Sequence, residues 1–367
     1  MRPSQPPPLR RKPWYDRYRR AVLAGASVLV IVGAIGVAYA VQRPAGEGGV
    51  DAGASASVSA GVSDGSSSVS GSPSPSGTKS PSATTTPKPS ATTRLPSAAG
   101  GPWPNASNTG VPAGTELTTY SGPCQIRTAG TVIDAKTVNC TLEVRAANVT
   151  IKRSKINGRV VLDTDISGSS KWSYTLVDSE VDAGLVQLPA VSYGNMKVIR
   201  TEVRGGATSV QCGEHAISCT VEDSYLHGQR IPDDAAWHLG GFLSNGGKNI
   251  RIRHNYIFCS PPANSVGEGC TGDLNLLGDF ATISDVLIDS NFLAAGTGMS
   301  YCLYGGDASS KPYPHADHVV VINNVFQRGS NRKCGAYGPV TGFNKNGTGN
   351  QWSNNKWDDG STVPPEN

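Results

Sequence analysis

Asn148-Val-Thr-Ile-Lys-Arg-Ser-Lys-Ile156 and Asn249-Ile-Arg-Ile-Arg-His-Asn-Tyr-Ile257 decide the fold. In both, apolar residues alternate, a small hydrogen-bonding residue follows, and an apolar residue returns two positions later. The pattern of Ile151 and Ile156 recurs at Leu176 and Val181, Val198 and Val203, and Val221 and Leu226. It continues at Ile252 and Ile257, Ile288 and Leu293, Val321 and Phe326, and Trp352 and Trp357. Ile133 and Val138 form a weaker earlier copy. Successive copies lie 25, 22, 23, 31, 36, 33 and 31 residues apart. Three positions after each first apolar residue stand Ser154, Ser179, Thr201, Ser224, Asn255, Asn291, Asn324 and Asn355.

Alternation places one face of each copy inward. The chain is expected to bend at the Ser/Asn position, because Asn tolerates left-handed backbone and bonds it locally. Copies stacked about 4.8 Å apart would align their asparagines into a ladder and their Ile, Val and Leu into a filled coil. Each turn would bury its core only against its neighbours, so stability adds along the axis. Nine such turns would form a column on the order of 40 Å long. Leucine-rich repeats need a Leu-rich segment that is missing here, and 22 residues are too few for a propeller blade. The 44 glycines and the β-branched bias argue against a helical array. The reading is an all-β, single-stranded parallel β-helix over residues 101–367.

Outward from the repeat, the composition changes. Residues 101–367 hold 21 Lys/Arg against 24 Asp/Glu, a net charge of −3. The surplus of positive charge lies in residues 1–100, and residues 1–20 alone hold seven Lys/Arg against Asp16. That distribution gives no support to a nucleic-acid partner. The uncharged run Ala21–Val41 is 21 residues long, enough to span a bilayer, and the arginines before it set a cytoplasmic N-terminus. The expected order is a basic cytoplasmic tail (1–20), a transmembrane signal anchor (21–42), a disordered Ser/Thr/Pro/Gly/Ala-rich linker (43–100) and the β-helix (101–367). Cleavage after Ala40 is the rival reading, since Ala38-Tyr39-Ala40 fits a signal-peptidase site. The linker would reach about 40–45 Å. Either way the repeat domain lies outside the cytoplasm, on a single-pass membrane protein or a secreted one. All eight cysteines (Cys124, Cys140, Cys212, Cys219, Cys259, Cys270, Cys302, Cys334) fall in that domain. They are expected to form disulfides, paired in chain order, because neighbours share a turn or adjacent turns.

Asn-Val-Thr-Ile-x-x-Ser-x-Ile-x-Gly at 148–158, Asn249–Ile257 and Val286-Leu-Ile-Asp-Ser-Asn-Phe-Leu293 resemble right-handed parallel β-helix proteins of the pectate-lyase-like superfamily. Asn108–Thr115, Tyr337–Gly342 and Trp357-Asp-Asp359 look like its secreted actinobacterial members. The resemblance implies a right-handed coil and a polysaccharide partner. It leaves the activity open, because the superfamily includes lyases, hydrolases, esterases and binding proteins. Related members carry His-x-Asp-Gly inside one turn. The matching place here is His238-Leu239-Gly240-Gly241, with glycine in the position of the acid.

Long stretches between copies, 227–249, 258–284, 294–318 and 327–349, are expected to be loops carrying function. Asp233, Asp234 and His238 are the catalytic candidates, since paired carboxylates serve acid and base roles in glycoside hydrolysis. Arg230, Trp237, Arg251, Arg253 and Tyr304 are the substrate-binding candidates. Trp237 could stack on a sugar ring, and Arg251 with Arg253 on one strand face could bind uronate carboxylates. Asp273, Tyr301, Asp307, Lys333 and Tyr337 are further groove candidates in the later loops. The bland alternatives are turn chemistry at Pro232-Asp-Asp and a solvated strand face at the arginines. No metal or cofactor is expected, with Ca²⁺ entering only if the protein is a lyase. The expected protein is a monomer that binds or processes an extracellular or cell-wall polysaccharide. The alternative is a non-catalytic wall-binding or adhesion column.

Overall fold

The computed structural model describes residues 101–296 and 298–365, all within the compact unit Thr93–Asn367. The expected basic tail, membrane span and linker lie outside the described residues. Among the described residues no helix is long and apolar enough to cross a membrane.

Among the described residues, 28 short strands fall into three parallel sheets of nine, ten and nine strands, each sheet taking every third strand. Sheet 1 holds the first half of each repeat copy, as in Val149–Lys152 and Gly247–Arg253. Sheet 2 holds the second half, as in Lys155–Asn157 and Tyr256–Ile257. Sheet 3 follows, as in Thr208–Cys212, Leu239–Ser244, Cys270–Leu276 and Tyr301–Gly305. The chain runs sheet 1, sheet 2, sheet 3 and back, so it is a parallel β-helix. A right-handed sense is what parallel crossovers favour.

The registers confirm the expected columns. Ile133, Ile151, Leu176, Val198, Val221, Ile252, Ile288, Val321 and Trp352 pair in succession along sheet 1. Val138, Ile156, Val181, Val203, Leu226, Ile257, Leu293, Phe326 and Trp357 do so along sheet 2. A third column (Leu142, Val160, Val191, Val210, Phe242, Leu274, Leu303, Val340) closes the triangle from sheet 3. These side chains form the bulk of one continuous core. At the C-terminal end Val363 is fully buried and its carbonyl accepts from Trp352 Nε1 at 3.0 Å, which caps the open coil.

The tight turn between sheets 1 and 2 corrects one expectation. The left-handed residue is the one before the Ser/Asn position: Ala135, Arg153, Asp178, Arg200, Asp223, His254, Ser290, Asn323 and Asn354 have φ of 45–59°. The Ser/Asn residue itself points inward and is fully buried. Its oxygen accepts the main-chain N–H one turn earlier: Ser224 N donates to Asn255 Oδ1 at 2.9 Å, Asn255 N to Asn291 Oδ1 at 3.0 Å and Asn291 N to Asn324 Oδ1 at 2.8 Å. Each asparagine Nδ2 also donates to a carbonyl one turn earlier, as from Asn291 to Ile252 at 2.9 Å.

The long stretches are not simple loops either. Each contains a strand of sheet 3 (Leu239–Ser244, Cys270–Leu276, Tyr301–Gly305 or Gly338–Thr341) with loops on both sides. All four disulfides form in chain order: Cys124–Cys140, Cys212–Cys219, Cys259–Cys270 and Cys302–Cys334.

Candidate functional site

The three outward faces differ in what is left unpaired. On sheet 1, Arg251 Nη2 pairs with Asp285 at 2.8 Å, and Arg253 lies 3.7 Å from Glu222 and 3.5 Å from Asp289. The two arginines do share a face, but each is engaged by a carboxylate.

On sheet 2 a chain of charges crosses three turns. Arg230 Nη2 meets Asp182 at 2.9 Å, Arg204 Nε meets Asp182 at 3.3 Å, and Arg204 Nη1 lies 3.7 Å from Glu202. Glu202 Oε1 lies 2.8 Å from His227 Nε2, whose ring stacks on Tyr225 at 3.8 Å. The bond from His227 holds the Glu202 carboxyl below its ordinary range, against the opposing effect of burial. Further along this face Tyr256, Phe292 and Val325 form an apolar column under Trp103. The Trp103 ring stacks on His254 at 5.7 Å and tilts against Phe292 at 5.4 Å. Gly110 donates to the Arg200 carbonyl at 3.0 Å, so residues 101–110 strap this face.

Sheet 3 is different. Only this sheet has long loops along both of its edges, because the corner between sheets 1 and 2 is the tight turn. Its outward column is Ser192, Gln211, Leu243, Asn275, Tyr304 and Thr341, read from the registers. Ser192, Gln211 and Asn275 face outward and are nevertheless buried. Strands covered on both faces in this way mean that the flanking loops rise over the sheet and leave it recessed.

The recess holds one buried polar atom without a partner. Asn275 is 2 % exposed, and its Oδ1 has no hydrogen-bond partner. Its Nδ2 donates to the Phe242 carbonyl at 3.2 Å and the Gly272 carbonyl at 3.0 Å, which fixes the amide orientation. Gly240 accommodates this amide: a Cβ there would stand 2.7 Å from Asn275 Nδ2. Gly240 therefore serves local packing. Gln211, 5 % exposed, is the second buried amide of the column.

Beside Asn275 lie three tyrosines. Tyr301 meets Tyr304 edge-on with centroids 5.6 Å apart and tilts against Tyr337 at 5.8 Å. Tyr337 is 68 % exposed. Burial raises the Tyr304 hydroxyl to about 12. The Cys302–Cys334 disulfide ties the strand of Tyr301 and Tyr304 to the loop of Tyr337, and Tyr337 N donates to the Ser300 carbonyl at 3.0 Å.

The sequence candidates scatter. Asp233 is exposed and its Oδ1 accepts from Ser265 N at 3.1 Å, lacing loop 227–238 to loop 258–269. Asp234 is exposed. His238 Nδ1 faces Glu268 at 3.3 Å. Trp237 packs partly buried against the core. Of the later candidates, Asp273 is fully buried at the corner of sheets 2 and 3, where its Oδ1 accepts from Cys259 N at 2.7 Å and its Oδ2 has no partner. Asn275 and Gln211 escaped the sequence reading. A polar residue within Leu274-Asn275-Leu276 or Val210-Gln211-Cys212 was the signal. Asp165, Glu214 and His215 bring their ligand atoms within 4.8 Å of one another on loops. Exposed acidic groups of this kind are common without an ion, and none is assigned.

No family model, no curated protein and no solved structure matches the chain.

Proposed function

We propose that this chain is an extracytoplasmic polysaccharide-binding β-helix protein of the pectate-lyase-like type. In this reading residues 21–42 anchor it and residues 43–100 hold it away from the membrane. The four disulfides support a compartment outside the cytoplasm. The observation that carries the binding function is the tyrosine group Tyr301, Tyr304 and Tyr337 beside the unpartnered Asn275 oxygen on a recessed face. Sugar rings present C–H faces that stack on aromatic rings and a rim of hydroxyls that need buried polar partners, and this face offers both.

Binding without turnover is the favoured form of the proposal. The carboxylate best placed for acid–base work, Glu202, is already engaged by His227 and faces Arg204. Asp233 is engaged by Ser265.

The test is affinity electrophoresis of the full chain through gels containing a panel of plant, fungal and bacterial-wall glycans. At least one glycan should retard the protein, and Tyr337→Ala should weaken that retardation about tenfold without moving the melting temperature. Retardation unchanged by Tyr337→Ala and Tyr301→Ala would overturn the placement. Release of unsaturated or reducing-end products would make the protein an enzyme.

A further inference from the structure

Building on the carbohydrate reading, we infer that the recessed face of sheet 3 selects an uncharged, hydroxyl-rich glycan and discriminates against uronic-acid polymers. Asn275 is the specificity-determining residue.

Three observations lead there. First, the Asn275 amide cannot flip. Its nitrogen faces two carbonyl oxygens, of Phe242 and Gly272, so its oxygen must point away from them. That oxygen is buried and has no partner. A buried acceptor left unmade costs about 1–3 kcal/mol, and a ligand that donates to it recovers that cost. A sugar hydroxyl can donate. A carboxylate or sulfate placed there cannot, whereas the ring hydroxyls of a uronate can, so the discrimination against acidic polymers rests on the uncharged floor described next.

Second, the floor of the recess is uncharged along its length. Ser192, Gln211, Leu243, Asn275, Tyr304 and Thr341 succeed one another with no ionisable group other than the tyrosine hydroxyl. Arg159 reaches the Ser192 end, where its guanidinium donates to the Pro189 carbonyl at 2.6 Å and the Ser192 hydroxyl at 3.4 Å. Of the cations in the flanking loops, Lys311 pairs with Asp279 at 2.8 Å, Arg328 with Asp359 at 2.6 Å and Arg230 with Asp182 at 2.9 Å, while Arg332 and Lys333 are exposed to solvent. The arginines that suggested uronate binding, Arg251 and Arg253, lie on sheet 1, a different face.

Third, the approach to Asn275 Oδ1 is short because Gly272 has no side chain. A Cβ there would stand 2.7 Å from Oδ1 and 3.3 Å from Tyr304 Cδ2. A sugar stacked on the exposed Tyr337 ring reaches the oxygen when the Tyr304 ring turns aside.

The full chain is to be titrated calorimetrically with neutral glycans (laminarin, xylan, mannan, soluble starch) and acidic ones (polygalacturonate, alginate). The expected result is binding to at least one neutral glycan, unchanged by salt, with at least tenfold weaker binding to both acidic polymers. Asn275→Leu, of matched size, should weaken the neutral complex about tenfold. Acidic polymers binding as tightly as neutral ones, with affinity falling as salt rises, would overturn the selectivity while leaving the carbohydrate reading intact. Binding of neither set would overturn the carbohydrate reading and the selectivity together. Because the neutral-to-acidic ratio is read on the native chain, the test survives a poorly folding Asn275 variant.

Discussion

Asn291 ties three turns together with one side chain. Its Oδ1 accepts from both Asn255 N and Asn255 Nδ2 at 3.0 Å, and its Nδ2 donates to the Ile252 carbonyl at 2.9 Å in that same turn and to Asn324 Oδ1 at 3.0 Å in the next. Asn291→Ala strands buried donors in the neighbouring turn, and each costs about 1–3 kcal/mol. A loss of roughly 2–4 kcal/mol in denaturant unfolding is expected, whereas a change below about 0.5 kcal/mol, typical of neutral surface substitutions, would refute the ladder. Asp273 predicts a pH dependence. Burial pushes its carboxyl well above the ordinary value of 3.8, against two main-chain N–H groups that pull it down. The unfolded chain releases this proton near the ordinary value while the folded chain keeps it, so stability falls as pH rises above about 4. Asp273→Asn keeps an acceptor for Cys259 N and should flatten the denaturation midpoint between about pH 4 and 7. An unaltered slope would show that Asp273 ionises normally in place. The Ser/Asn positions were visible in the sequence because burial restricts them to small hydrogen-bonding residues. The left-handed residue before them was not, because it is at least partly exposed in every copy but that of Ser290 and tolerates Ala, Arg, Asp, His, Ser or Asn alike.

At the level of elements, sheets 1 and 2 were legible and sheet 3 was not, for a physical reason. Strands such as Val149–Lys152 bury one face and expose the other, which writes a period of two into the sequence. Strands such as Thr208–Cys212 and Cys270–Leu276 are covered on both sides by core and loops, so alternation disappears. Leu239-Gly-Gly-Phe-Leu-Ser244 then reads as loop. The proposed binding face lies on that illegible sheet, and this is why tyrosines 301, 304 and 337 could be named while their neighbour Asn275 could not. The Cys302–Cys334 staple spans 32 residues and joins the tyrosine strand to the Tyr337 loop. Replacing both cysteines by alanine should cost about 2–4 kcal/mol. It should also weaken glycan binding more than the same change at Cys124 and Cys140, which lie at the other end of the coil. Equal effects from the two pairs would separate the staple from the site.

For the whole molecule, turns at the middle of the stack gain core from both neighbours, and the recess on sheet 3 exists only because equivalent strands stand directly above one another. Axial regularity is therefore the central claim. It is tested most directly by pulsed electron-resonance distances between labels on the tight turns, introduced through ketone-bearing amino acids so that the disulfides stay intact. Asp178 and Asn354 mark turns six steps apart, and Arg200 and Asn323 mark turns four steps apart. At about 4.8 Å per step the backbone separations should be about 29 Å and about 19 Å, a ratio of three to two. Two distances that do not scale with the number of intervening turns would contradict the β-helix, and the binding face with it.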